Sequence, residues 1–463
     1  MNENKPPFVL NTRNTLYISL AFFSILMFWQ IYNLYGTYFI DELLGQRFPE
    51  RFPEREDRAY VVGIIMALDN FFALFMLPIF GVLSDKTKSR FGRRMPYIIL
   101  GMFAAAIVFP FIAIAYIANS LVGVVILMLM VLIIMNIYRN PAIALMPDIT
   151  PKPLRSKANG IINLIGYIGA IIASLLFFVF ATDGGVLLMI FGDHISSIWF
   201  SLVPFLIVSG MMLVAMIVLF IKIKENKLVE ESMEQMAAGE AYSLTMESVE
   251  EGKPLSALDK RNMFFLLLSV FLWFAAFNAI ETFISVYSDE FFGDGTDGSG
   301  ALWAGLITAV LVLFSILSFI PAAVIANRVG RKITILSGLI ALVAGLLIAY
   351  AVNSIHVLLF IGIAISGIGW AFINVNSYPM MVELTHRNNV GRYTGYYYTS
   401  SMLAQSFTPI VAGLVILVNK TYNILFPYSI VLGFAALVSF AFVKENKDSI
   451  QKIKTGFETF DVE

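Results

Sequence analysis

Twelve runs of mostly apolar residues divide this chain of 463 residues, near 15–40, 59–83, 96–118, 121–145, 158–181, 197–222, 263–288, 302–326, 333–352, 355–382, 393–418 and 423–443. Each is long enough to span a bilayer as a helix, because about 30 Å of hydrocarbon is crossed at about 1.5 Å per residue, or about 20 residues. The composition agrees: 59% of residues are hydrophobic and 14% charged, against roughly 45–50% and about 25% in a soluble domain. The alternating ten-residue pattern of a membrane barrel is absent. The first run exceeds a signal-peptide core and lacks a small-residue cleavage site, so it is expected to be a retained helix. The expected fold class is an all-α membrane protein of twelve transmembrane helices.

Basic residues give an expected orientation. With the N-terminus inside, the inner segments carry 25 of the 31 Lys and Arg and the outer loops 5. Both termini are therefore expected in the cytoplasm, in a plasma or inner membrane. The outer loop 41–58 departs from the pattern with four Arg, but it holds six carboxylates and a doubled Arg-Phe-Pro-Glu, and is expected to be solvated. A net charge of −1 suggests no nucleic-acid partner. Without cysteine there are no disulfides or thiolate metal sites, and His194, His356 and His386 are too scattered in sequence for a cluster. No resident cofactor or metal is expected.

The longest hydrophilic stretch, 223–262, is rich in Glu and separates six runs from six. The expected organisation is a bundle over 1–222, a linker over 223–262 expected to be a solvated face, a second bundle over 263–443 and a tail over 444–463. The halves repeat. Arg90-Phe-Gly-Arg-Arg94 follows the second run and Arg328-Val-Gly-Arg-Lys332 the eighth; Asp148-Ile-Thr150 follows the fourth and Glu383-Leu-Thr385 the tenth. Lys157 and Arg392 each lie nine residues past the acid, and Gly160 and Gly395 twelve. Two coincidences at nearly one offset, at equivalent positions, indicate duplication. Six-plus-six helices in parallel repeats resemble the major facilitator architecture.

The loop Gly81–Pro96, GVLSDKTKSRFGRRMP, sharpens that resemblance. Ala323–Lys332 resembles the short facilitator pattern G-x-x-x-D-R-x-G-R-[RK], with Ala323 and Asn327 replacing Gly and Asp. The first half keeps Gly81 and Asp85 but inserts four residues, and this longer form resembles the sucrose-transporter-like branch of the glycoside–pentoside–hexuronide:cation symporters. Ala67-Leu-Asp-Asn70 and Arg139-Asn-Pro-Ala-Ile-Ala-Leu-Met-Pro-Asp148 support it. The resemblance covers essentially the whole chain. It implies uptake of a sugar or glycoside by alternating access, coupled to H⁺ or Na⁺. One departure matters: the branch pattern has an Arg two residues after the fourth-helix Pro, where this chain has Ile143, and an Asp earlier in that helix, whereas Val122–Pro147 contains no acid.

Ionisable side chains in hydrocarbon cost at least about 2.5–3.5 kcal/mol and mark function by default. Three lie deep in the spans: Asp69, Arg139 and Glu281, at depths of about 22, 12 and 27 Å from the inner ends. Asp69 is expected to couple the cation, its pKa rising on desolvation and falling as a cation or Arg approaches; a structural acid between helices is the alternative. Arg139 offers a fork of donors suited to vicinal hydroxyls, or pairs structurally with Glu281 or Asp69. Glu281 either accepts sugar hydroxyls or sits near the outer water. Sugars also need apolar faces with polar tips, and candidates are Trp29, Tyr32, Asn33, Asn278, Trp370 and Asn374, although such residues more often serve packing or the interface belt. Gly81, Asp85, Arg93, Arg94 and Asp148, with Arg331, Glu383 and Arg392 in the second half, are expected to form gating charge networks, or serve only as a topology signal.

A secondary transporter of a small sugar, acting as a monomer in the bilayer, is the expected function. Within transporters the alternative is a proton-coupled exporter of another small molecule. A membrane-embedded enzyme would require clustered catalytic side chains near one face, and a sensor a long output domain; neither pattern is present. No P-loop marks a primary pump.

Overall fold

The computed structural model describes residues 8–181, 186–187, 197–246, 257–293, 300–352, 354–383 and 390–444, and the side chains of Asp69 and Glu383 lie outside the described set. Among the described residues thirteen long α-helices follow in order: α1 (Thr12–Arg47), α2 (Glu56–Lys86), α3 (Met95–Ile117), α4 (Leu121–Ile149), α5 (Arg155–Phe180), α6 (Ser197–Lys222), α7 (Glu225–Met246), α8 (Ala257–Phe292), α9 (Leu302–Val329), α10 (Arg331–Val352), α11 (Val357–Glu383), α12 (Val390–Asn419) and α13 (Leu425–Ala441). Among the described residues eleven helices are long and apolar enough to cross a membrane. The 31-residue α2 takes the twelfth place, and no strand occurs among the described residues. This is the twelve-helix fold expected from the apolar runs. Outside a closed barrel, a lipid-exposed segment must be helical, because every backbone polar group is then satisfied within the segment.

Local signals set the helix ends. The Asn11 side chain accepts from the Asn14 N–H (3.1 Å) to start α1, and Ser120 accepts from Gly123 N–H (3.1 Å) to start α4. Pro96 occupies the first turn of α3, where its missing N–H is harmless. Two helices outrun their apolar stretches furthest: α1 and α8 each reach 36 residues. Each carries an Asp-Glu pair in its final turns, Asp41-Glu42 and Asp289-Glu290, and both aspartates are buried. Tyr116 hydroxyl donates to Glu42, and Arg55 donates to Asp289 (2.6 Å). The expected outer loop 41–58 therefore shrinks: α1 runs to Arg47 and α2 begins at Glu56. Most of the doubled Arg-Phe-Pro-Glu between them is exposed.

The chain forms two compact units. The first comprises Met1–Pro53, Leu68–Val249 and Gly293–Gly305; the second comprises Glu54–Ala67, Glu250–Phe292 and Leu306–Glu463. Internally they use the same pairings. In the first, α1 packs on α5 and α6, and α3 packs on α4 and α6. In the second, α8 packs on α12 and α13, and α10 packs on α11 and α13. Counting spans, these are the same positions, so the repeat read from two short motifs extends to the packing.

Lipid is as apolar as leucine, so close packing and polar contacts between helices replace the hydrophobic effect as the cohesive force. The first unit packs an aromatic cluster of Phe28, Tyr35, Phe39, Phe109, Phe177 and Phe205, with centroids 4.4–5.9 Å apart across its pairs. In the second, Gly345 and Gly362 lie so close that a Cβ on either would meet backbone of the facing helix, α11 or α10. Gly338 and Gly369 repeat the contact two turns away. Serines add hydrogen bonds across helices: Ser269 donates to Ala436 O (2.9 Å), Ser315 to Gly367 O (3.0 Å) and Ser400 to Leu267 O (2.7 Å).

The duplicated loops share one backbone device. Gly92 (φ 110°) and Gly330 (φ 95°) both adopt the left-handed conformation that side chains disfavour. They are the equivalent glycines of Arg-Phe-Gly-Arg-Arg and Arg-Val-Gly-Arg-Lys. The four inserted residues lengthen the first turn: residues 87–94 separate α2 from α3, while Gly330 alone separates α9 from α10.

Candidate functional site

The basic loop after α2 folds around Arg94. Its side chain is 6% exposed. Nε donates to Asp148 Oδ2 (2.9 Å), Nη1 donates to Ser84 Oγ (2.5 Å), and Nη2 pairs with Asp85 Oδ1. Arg93 Nη2 reaches the other oxygen of Asp148 (2.9 Å). Burial works against the Arg94 charge, but Asp148 and Asp85 outweigh it and hold its pKa above the ordinary value. The expected association of Asp85, Arg93, Arg94 and Asp148 is thus present in one cluster joining the ends of α2, α3 and α4. Gly81 lies beside Asn140 of α4, where an added Cβ would meet the tip of that side chain. The Gly81 carbonyl accepts from Ser84 Oγ (2.9 Å).

Glu225 completes the cluster. Its carboxylate accepts from the N–H groups of Arg93 (2.9 Å), Arg94 (2.9 Å) and Met95 (2.9 Å), the opening donors of α3. A helix N-terminus leaves such donors without intrahelical partners and carries partial positive charge, so a carboxylate there is favoured. Glu225 is 1% exposed. At its first helical residue the Glu-rich stretch 223–262 departs from the expected solvated face. Glu230, Glu231, Glu234 and Glu240 of α7 are exposed, but the first residue of that helix is a buried cap. Sequence reasoning missed it because the capping partner lies about 130 residues away. The position of Gly92 was the available signal: a Cβ there would strike the Glu225 side chain.

Asp85→Asn keeps the shape of the cluster and removes one of the carboxylates facing Arg94. If the cluster gates transport, the rate should fall by about fivefold, equivalent to about 1 kcal/mol. The melting temperature should change little, because Asp85 is 55% exposed. Unchanged transport would leave this loop a topology signal.

Within the spans, the first unit brings three expected binding residues together. The Arg139 guanidinium carbon lies over the Trp29 ring, 5.7 Å from its centroid, and Trp29 meets Tyr32 edge to face at 5.6 Å. Trp29 and Tyr32 sit almost one turn apart on α1, and Arg139 approaches from α4. Trp29 Nε1 is buried and donates to none of the described residues. Asn33, one turn beyond Trp29, is half-buried. Asp69 lies on α2, with its side chain outside the described residues.

In the second unit the candidates divide. Trp370 packs among Trp273, Phe274 and Phe277 of α8 at centroid distances of 4.9, 5.9 and 3.7 Å, so it is an aromatic core residue, 7% exposed. Asn278 is buried, and its side-chain oxygen has no hydrogen-bond donor among the described residues. Glu281 and Asn374 are half-buried. At the loop ends, Arg331 opens α10 half-buried, whereas Arg392 is exposed and donates to Tyr396 hydroxyl on its own helix (2.8 Å). Glu383 has its side chain outside the described residues. Asp41 and Asp289 were missed in the sequence because the apolar runs end before them.

Solved structures share the fold. An inward-open structure of the xylose transporter XylE from E. coli superposes with a TM-score of 0.64 at 15% identity, covering 96% of this chain and 99% of that one. A mutant structure of the nucleoside transporter NupG gives 0.57 at 18% identity, over 92% and 100%. Among curated proteins, the multidrug resistance protein MdtG of Salmonella arizonae is 26% identical over 195 residues, 42% of this chain, and that of Dickeya zeae 25% over the same length. The matched region spans about half, 47%, of those relatives. The family model of the Major Facilitator Superfamily matches residues 18–305 and 296–460. With nearly the whole length matched and the helix pairings repeated, the chain belongs to the major facilitator superfamily, a family of membrane transporters.

Proposed function

We propose that this protein is a cation-coupled symporter that takes up a sugar or glycoside by alternating access. The observation that carries the proposal is the grouping of Trp29, Tyr32 and Arg139: a flat apolar ring, a polar tip and a donor fork within one side-chain layer. An aromatic face stacks on the C–H side of a sugar ring, while guanidinium and indole N–H donors meet its hydroxyls. The unsatisfied Trp29 donor is costly when dry, and a bound hydroxyl would relieve that cost. The long Gly81–Pro96 loop supports the glycoside–pentoside–hexuronide:cation symporter branch. In the second unit, Asn278, Glu281 and Asn374 are the polar candidates, and the packing of Trp370 supports a scaffolding role.

Asp69 is the proposed coupling carboxylate, with H⁺ favoured over Na⁺ because a single acid suffices for a proton whereas Na⁺ needs several oxygens. Asp69→Asn should abolish gradient-driven accumulation and preserve exchange across the membrane. Accumulation at the wild-type level would remove Asp69 from the mechanism. The protein is proposed to act as a monomer in the plasma or inner membrane with both termini cytoplasmic.

A second reading, proton-coupled export of other small molecules, is favoured by the MdtG relatives. The two separate in reconstituted vesicles under an imposed proton or sodium gradient. Uptake of a labelled disaccharide from a panel supports symport. Gradient-driven movement of a cationic dye, with no sugar transported, replaces it with export.

A further inference from the structure

A groove of about 640 Å³ opens between α3 and α6 at the basic end of the first unit. Its floor and walls are apolar and include Leu100, Phe103 and Phe220, which are 63%, 48% and 43% exposed. Its rim is cationic: Arg90, Lys224 and Lys227 line it and are all exposed. The two chemistries are continuous. Arg90 lies over the Phe91 ring at 4.6 Å and Lys224 over the Phe220 ring at 5.8 Å, so the charges stand where the apolar walls begin. From Met95 to Phe103 the groove follows α3 for about 12 Å.

We propose that this groove is a binding site for an anionic phospholipid, with the acyl chain along α3 and α6 and the headgroup phosphate held by Arg90, Lys224 and Lys227. Apolar helix faces contact lipid in any membrane protein; the cationic rim at the groove mouth selects the headgroup. Glu225 also borders the groove, but its oxygens are engaged by the α3 N–H groups. The pair between Lys227 and Glu231 is solvent-exposed at 3.5 Å, and such pairs exchange readily. The bound lipid would brace the α3 entry beside the Glu225 cap. The inference rests on the membrane assignment of the chain and not on its substrate.

Native mass spectrometry tests it on the full-length protein with phosphatidylglycerol and phosphatidylcholine of identical acyl chains. Each rim charge contributes about fivefold, so the wild type should retain phosphatidylglycerol preferentially, and R90Q/K224Q/K227Q should lower that preference at least tenfold. R328Q/R331Q/K332Q, at the equivalent loop of the other unit, should retain it. Equal binding of the two lipids by the wild type, undiminished preference in the groove variant, or equal loss in both variants would overturn the proposal. A photoreactive phosphatidylglycerol on the wild-type protein gives a readout independent of variant folding. Labelling concentrated in 95–103 and 216–227 is expected, and labelling spread evenly over the helices would count against the site.

Discussion

Glu225→Ala is expected to lower the melting temperature of the purified protein by several degrees, more than any other single Glu substitution in 223–246. The carboxylate serves three backbone N–H groups at the start of α3 from a position that is 1% exposed. Truncation removes the acceptor and leaves those donors facing a small polar void. A buried unsatisfied donor costs about 1–3 kcal/mol; with water filling part of the void, the net loss should be about 3 kcal/mol. Glu225→Gln keeps an acceptor oxygen but loses the charge that complements the helix terminus, and should lie between wild type and alanine. Glu234→Ala, from an exposed position on the same helix, is the control. Thermal unfolding in detergent measures all three, and a Glu225→Ala curve matching that of Glu234→Ala would show the cap to be dispensable. The consequence extends beyond α3. Arg94 is the N-cap residue of that helix and also the centre of the charge cluster, so loosening the backbone loosens Arg93 and Arg94 against Asp85 and Asp148.

Arg139→Lys is expected to reduce transport by about tenfold or more while leaving the fold intact. Lysine preserves the charge but not the planar fork, and it stacks less well on Trp29. A tenfold loss corresponds to about 1.4 kcal/mol, within reach of one lost bidentate contact. Transport in vesicles and substrate binding in detergent should fall together if Arg139 holds the substrate. A fall in melting temperature with unaltered binding would make Arg139 a structural partner of its neighbours. Trp29→Leu should weaken binding in the same direction, because it removes both the stacking face and the buried N–H donor.

The fold was legible because the bilayer imposes a severe filter on sequence. A spanning helix must be long, apolar and continuous, so twelve runs announce twelve helices. The loop repeat announced the duplication, and Gly92 and Gly330 share the left-handed backbone that the motif requires. The Arg94 cluster was legible for a related reason: charges confined to short loops between membrane helices have few possible partners. Legibility failed where a partner lies far along the chain. Glu225 stands in a run of glutamates that composition describes as solvated, and nothing local distinguishes it from Glu230 or Glu234. The ends of α1 and α8 were missed because hydropathy falls at Asp41 and Asp289, although the helices continue and bury both acids.

The sequence by itself determined the class of molecule, the number of spans, the duplication and the association of Asp85, Arg93, Arg94 and Asp148, since each follows from periodicity, spacing or the cost of charge in hydrocarbon. Only the tertiary structure decided which candidates lie together. It placed Arg139 over Trp29, enclosed Trp370 in an aromatic core, and folded the first residue of the linker helix onto the start of α3. These outcomes depend on which helix faces meet, and that is settled by packing among helices whose lipid-facing and protein-facing sides are almost equally apolar. For the same reason the hydrophobic pattern that announces a membrane helix says little about the direction its polar residues face.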